Sequence, residues 1–140
     1  MNHIRTIGKL PENVDTLIAA FSGWSDAGDA ATGAVRYLIR DRKAKLIAEY
    51  EPEDFFDFTQ NRPIVKVGDK GIRSLSWPKN EFYFSEGSEG TAPLLLFAGT
   101  EPNLKWGTFS NSFLDVAELC GVKQIITFGA LLNAVPHTRK

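Results

Sequence analysis

The sequence predicts an α/β fold with a mostly parallel sheet and an added β-hairpin. Three observations carry this prediction. Short apolar runs at residues 16–21 and 93–98 fit strands buried on both faces, and residues 124–128 form another strand. Apolar stripes at helical spacing follow the first and second of these runs. Between the two strand–helix units lies a strand–turn–strand segment of different, aromatic-rich texture.

The first run, Thr16-Leu17-Ile18-Ala19-Ala20-Phe21, stops at Ser22-Gly23-Trp24-Ser25-Asp26. Ala27, Ala30, Ala31, Ala34, Val35, Leu38 and Ile39 then fall on one helical face. Ser25 or Asp26 suits the N-cap, and Asp29 places negative charge in the first turn. Arg40, Arg42 and Lys43 complement the far end. The first half of the face is alanine, with Gly28 and Gly33 nearby, so the helix can approach its neighbours closely. Lys45-Leu46-Ile47-Ala48-Glu49-Tyr50 is the next strand. The β–α–β order predicts that it pairs in parallel with the first through a right-handed crossover.

Residues 63–67, a turn at Gly68-Asp69-Lys70-Gly71, and residues 72–77 read as a hairpin. Residues 81–85 form a further strand. Half of the 16 aromatic residues lie between Tyr50 and Phe84. Core and hairpin packing is their expected role; a partner-binding face is the functional alternative. The α/β pattern then returns. Residues 93–98 form a strand, and Phe109, Phe113, Val116, Ala117 and Cys120 form a helical stripe that Gly121 stops. The strand 124–128 runs into Gly129-Ala130-Leu131-Leu132. Two helices are few to cover both faces of such a sheet. Apolar sheet surface is therefore expected to remain, covered by self-association into a homo-oligomer or by a continuation of the domain.

The chain of 140 residues is read as a single domain spanning 1–140. Its formal net charge of −1 lacks the basic excess of a general nucleic-acid or anionic-membrane binder. A 43% hydrophobic content is too high for a disordered chain. One cysteine, Cys120, excludes an internal disulfide and a cysteine-rich zinc site. His3 and His137 stand at opposite ends, which argues against a multi-histidine metal site. No signal peptide or membrane span is visible, and a cytoplasmic location is expected.

Three apolar strands end in polar or glycine-rich segments, and parallel strands would bring those ends together. The candidate binding surface is Gly23, Trp24, Asp26 and Gly28 from the first segment. Glu101, Pro102 and Trp106 come from the second, and Gly129, Pro136, His137, Thr138 and Arg139 from the third. No residue is assigned a catalytic role, and no cofactor or metal is expected. The Gly28–Gly33 spacing imitates a phosphate loop but lacks its Lys and Ser/Thr, and no dinucleotide fingerprint follows a strand. Gly23-Trp24-Ser25-Asp26-Ala27 approaches a nucleophile elbow, with His137 and Asp115 or Glu101 as conceivable partners. The elbow lacks its last glycine, and helix capping is the favoured role of Ser25. Glu49, Glu51, Glu53, Asp54 and Asp57 are acidic but match no calcium loop, so a solvated acidic surface is expected.

These segments resemble the proteasome assembly chaperone 2 family, most closely its bacterial branch. The resemblance rests on the residues at 21–34, Asp57-Phe58-Thr59 with Arg62-Pro63, and Trp77-Pro78 with Asn80-Glu81-Phe82. It extends to Glu101-Pro102 with Trp106, and to Gly129-Ala130-Leu131-Leu132 with Val135-Pro136-His137-Thr138-Arg139. It implies a three-layer α/β/α sandwich similar in outline to nucleoside phosphorylases, without implying their reaction. It also implies work through protein contacts, as a non-catalytic interaction or assembly domain. A phosphorylase- or hydrolase-like enzyme, or a binder of a nucleoside- or phosphate-type small molecule, is the alternative. Family members look substantially longer, so this chain resembles an N-terminal portion of the family domain, incomplete at its C-terminus.

Overall fold

The computed structural model describes residues 3–136 and Thr138. A six-stranded sheet is built from β1 (Ile4–Thr6), β2 (Thr16–Ser22), β3 (Lys45–Tyr50), β6 (Glu81–Ser85), β7 (Leu94–Thr100) and β8 (Gln124–Phe128), in the spatial order β1-β3-β6-β7-β2-β8. β4 (Ile64–Val67) and β5 (Arg73–Ser76) form a separate antiparallel hairpin, as the turn at 68–71 predicts. β2 pairs in parallel with both β7 and β8. β6 is antiparallel to β7 and to β3, and β1 is antiparallel to β3. Four of the six strands, β3, β7, β2 and β8, thus share one direction.

One pairing expectation is corrected. β2 and β3 run the same way but are not neighbours, because β7 and β6 stand between them. Strands with no periodicity difference are interchangeable to a local reading. Here the sheet centre is taken by β7, whose residues 95–99 are all buried.

Helix α1 (Ala30–Asp41) covers one face of the sheet and α2 (Trp106–Leu119) the other. The alternation along β2 shows the division. Leu17, Ala19 and Phe21 pack with Phe109, Phe113, Val116 and Ala117 of α2. Ile18 and Ala20 pack with Ala31 and Val35 of α1. The layers are therefore helix, sheet, helix. The α2 side holds most of the aromatic mass, with Tyr50 stacked on Phe109 at 4.3 Å between ring centroids and Phe97 edge-on to Phe113 at 5.0 Å. The buried Tyr50 hydroxyl donates to the Phe109 carbonyl at 2.8 Å. Tyr50, Phe55, Phe56 and Phe82 are core residues, as expected. Phe58 and Trp77 instead pair with each other, Trp77 being exposed.

Both helices end by the same device. After α2, the Gly121 amide donates to the Glu118 carbonyl and the Val122 amide to that of Ala117. Gly121 has φ +76°, which its missing side chain permits. After α1, Lys43 takes the equivalent place at φ +51°, and the Ala44 amide donates to Ile39. The start of α1 lies later than the alanine pattern suggests. Gly28 is left-handed at φ +61°, so residues 27–29 form a separate 3-10 turn and Asp29 precedes α1.

The sheet is covered unevenly. α1 lies over β2 and β7, α2 reaches from β2 and β7 to Phe82 of β6 and Tyr50 of β3, and of β8 Phe128 alone packs against the core on the α1 side. Ile125 and Ile126 of β8, on opposite faces, are 39% and 42% exposed.

Candidate functional site

β7, β2 and β8 are adjacent and parallel, so the segments following them lie side by side at one end of the sheet. The Glu101 amide donates to the Ser22 carbonyl at 3.0 Å, tying the second segment to the first. The Ala130 amide donates to Ser25 at 2.7 Å and the Ala27 amide to Ala130 at 3.0 Å, tying the third to the first. The chain leaves β2 toward the α1 face and β7 toward the α2 face. Adjacent strands whose connections part in this way open a crevice beyond their carboxyl ends, where open α/β sheets bind ligands.

That crevice has a volume of about 350 Å³. Its floor is formed by Ser22 and Thr100, and its walls by Gly23, Glu101, Asn61 and Trp106. A larger surface cavity of about 610 Å³, by Arg42, Lys45 and Ser85, lies at the opposite end, where the parallel strands begin. Glu101 lies directly over Gly23: a Cβ on Gly23 would come within 2.5 Å of its Oε2. Gly23 also has φ +149°, so glycine is required there for space and for backbone conformation. The Trp24 amide faces the same oxygen at 3.5 Å. Trp24 is 87% exposed and Trp106 56% exposed at the rim.

The far wall is braced by residues that spacing alone did not single out. Asn103 Oδ1 accepts from the Asp57 amide at 3.0 Å and from Asn61 Nδ2 at 2.9 Å. The Phe55 carbonyl accepts from the Asn103 and Leu104 amides. The loop at 55–61 is thereby fixed against the segment after β7. Asn80, fully buried, accepts the Thr100 amide on its Oδ1 at 2.7 Å. For Asn61 and Asn103 the sequence-level signal is the tendency of Asn to bond backbone in turns, and Asn80 stands among the residues that carry the family resemblance.

Asp26 has a different place. It is buried, and its Oδ1 accepts the Ala31 and Thr32 amides at 2.8 and 3.0 Å. Its Oδ2 accepts the Thr32 hydroxyl at 2.5 Å. Burial alone would raise its pKa. The Thr32 side chain, the two amides and the Arg36 charge outweigh that and hold the carboxyl below the usual range. Asp26, not Ser25, supplies the cap of α1, and it does so across the 3-10 turn. Ser25 instead offers its carbonyl to Ala130. Gly28 is exposed away from the crevice, and so are Pro136 and Thr138. Pro102 is buried in the crevice wall, and Gly129 sits against Ser25. His137 and Arg139 lie outside the described residues.

Within the acidic group at 49–57, Glu49, Asp54 and Asp57 turn to separate partners. Glu49 pairs with Arg5. Asp54 pairs with His3 at 2.8 Å and Lys105 at 2.9 Å, and those two hydrogen bonds hold its carboxyl low. Asp57 caps its own turn at Thr59. Among the described residues, no three His, Cys, Asp or Glu side chains gather as a metal-binding group. No helix among them is long and apolar enough to cross a membrane.

The fold and the crevice define a class: a mixed-sheet α/β/α domain with a shallow strand-end site. Residues 20–140 match the model of the PAC2 family, and the chain belongs to that family. A PAC2 family protein from Streptomyces avermitilis is similar at 40% identity and a TM-score of 0.81, covering 89% of this chain and 53% of its own. A Mycobacterium tuberculosis proteasome-assembly chaperone homologue is similar at 37% identity and a TM-score of 0.81, with 89% and 52% covered. A Corynebacterium glutamicum protein of unknown function shares 28% identity at a TM-score of 0.82, with 98% and 53% covered. The chain thus spans about half the length of these solved relatives. Among curated proteins, none matches.

Proposed function

We infer that the protein is a non-catalytic interaction and assembly domain that works in the cytoplasm and self-associates through β8. The observation that carries this reading is the outer edge of β8, which has no partner strand among the described residues. The strand is five residues long, Gln-Ile-Ile-Thr-Phe, carries no charge, and among the described residues pairs on one side only. An edge of this kind offers unpaired amides and carbonyls to another strand unless charge, proline or a bulge blunts it. β1, at the opposite edge, is only three residues long.

A second copy suits this edge because a charge-free strand is complementary to itself. Antiparallel pairing about a two-fold axis at Ile126 sets Ile125 against Thr127 of the second copy. Five paired residues fall short of the ~1,600 Å² of a standard interface. Leu131, Leu132 and Val135 continue from the strand at 72%, 91% and 44% exposed and add apolar surface to it. The hairpin β4–β5 offers more, with Ile64, Val65, Val67 and Ile72 each over half exposed. The relative named as a proteasome-assembly chaperone homologue also favours work through protein contacts.

The test is light scattering across a concentration series, with Ile126→Lys as the disrupting variant. A mass of about twice 15.5 kDa that falls to the monomer value in the variant supports the reading. A wild-type monomer at all concentrations overturns it.

A further inference from the structure

We propose that the crevice between the ends of β2 and β7 is a binding site for an organic cation, an alkylammonium or guanidinium group, with Glu101 as counter-charge and Trp106 as aromatic wall. This goes beyond the interaction reading and uses a surface apart from the outer edge of β8.

The argument begins with charge. Of the residues lining the crevice, Glu101 alone is charged. It has no ion-pair partner among the described residues. Other carboxylates nearby are already engaged, Asp54 by His3 and Lys105, and Asp57 by Thr59. The Glu101 backbone amide is bonded to Ser22, and its carboxylate occupies the space that Gly23 leaves open, with the Trp24 amide 3.5 Å from Oε2.

The surroundings favour a cation with several donors. Trp106 presents an indole at the rim, and Ser22, Thr100 and Asn61 supply neutral oxygens. Aromatic faces attract ammonium and guanidinium groups. A carboxylate accepts their N–H bonds in charge-assisted form, and guanidinium in two parallel bonds. The volume of about 350 Å³ suits a side-chain-sized group.

An anion is the competing occupant, because α2 begins at Trp106 with no side-chain cap. The full negative charge of Glu101 outweighs the partial charge of that helix end. The cation has two possible sources, a free amine or a basic side chain of a protein.

Nuclear magnetic resonance on the labelled full chain tests this. Methylguanidinium chloride, ethylammonium chloride, sodium phosphate and sodium chloride are titrated at matched ionic strength. The probes read are the Trp106 indole N–H and the Gly23 and Trp24 amides, with the Trp77 indole as control. Saturable shifts with the two organic cations, confined to the crevice, support the site. Glu101→Gln keeps the shape of the side chain and removes the charge. It is expected to weaken binding at least ~10-fold while leaving the remaining spectrum in place. Trp106→Leu is expected to weaken it ~3-fold or more. A peptide with one arginine that binds tighter than methylguanidinium, with the same Glu101 dependence, identifies a protein side chain as the source; equal or weaker binding identifies a free amine. Absence of saturable shifts with either cation, affinity unchanged in Glu101→Gln, or shifts with phosphate alone would each overturn the proposal.

Discussion

Removal of the Asp26 carboxylate is expected to weaken the fold by about 2–3 kcal/mol at neutral pH. Asp26→Ala strips an acceptor from the Ala31 and Thr32 amides at the start of α1. Loss of such a cap costs ~1–2 kcal/mol. It also strands the Thr32 hydroxyl, which is 0% exposed, at a further ~1 kcal/mol. Asp26→Asn keeps one oxygen for the amides, and its NH2 donates to the turned Thr32 hydroxyl. It is expected to cost only ~1 kcal/mol, the value of the charge. The pH dependence follows from the sign of the shift. The folded carboxyl titrates below its ordinary 3.8, so its charge stabilises the fold above that value. That contribution disappears as pH falls through the lowered folded pKa. The gap between wild type and Asp26→Asn should therefore close on acidification below about pH 4. Urea unfolding at several pH values measures this, with equal slopes for the variants. If Asp26→Ala unfolds within 0.5 kcal/mol of wild type, a reference bound of roughly surface-substitution size, the cap is not what Asp26 supplies. A gap that widens in acid refutes the electrostatic part.

Other outcomes follow from the same geometry. Lys43→Gly should stabilise by about 0.5–1 kcal/mol, because Lys43 holds a left-handed conformation that glycine adopts freely; thermal unfolding reads it. Gly23→Ala should destabilise by ~1–3 kcal/mol and displace Glu101, since it adds a side chain where the backbone is at φ +149° and the carboxylate is in contact. Cys120 should resist thiol reagents in the folded protein and react on unfolding, because it is fully buried and burial pushes its thiol up to about 11. Tyr50→Phe should cost ~1 kcal/mol by removing the hydroxyl's hydrogen bond to the Phe109 carbonyl, with the ring packing intact, as denaturant unfolding would show.

The elements of this protein were legible in its sequence because each has a local cause. The apolar runs of β2 and β7 have no polar face to show a solvent, and the stripe from Phe109 to Cys120 fits only a helix. Gly121 marks the stop of α2 because its left-handed turn favours glycine. Family membership was legible too, since several motifs recur in order along the chain. Strand order was not. Nothing local says that β7, rather than β3, sits beside β2; that depends on which faces bury most apolar surface once the whole chain is assembled. The roles of the strand-end residues were likewise settled by position in space. Asp26 and Glu101 are both acids in segments after strands. One is consumed by the two amides and the hydroxyl it caps, and the other is held against a glycine at the wall of a crevice. A carboxylate's chemistry follows from what surrounds it, and here its surroundings come from parts of the chain distant in sequence.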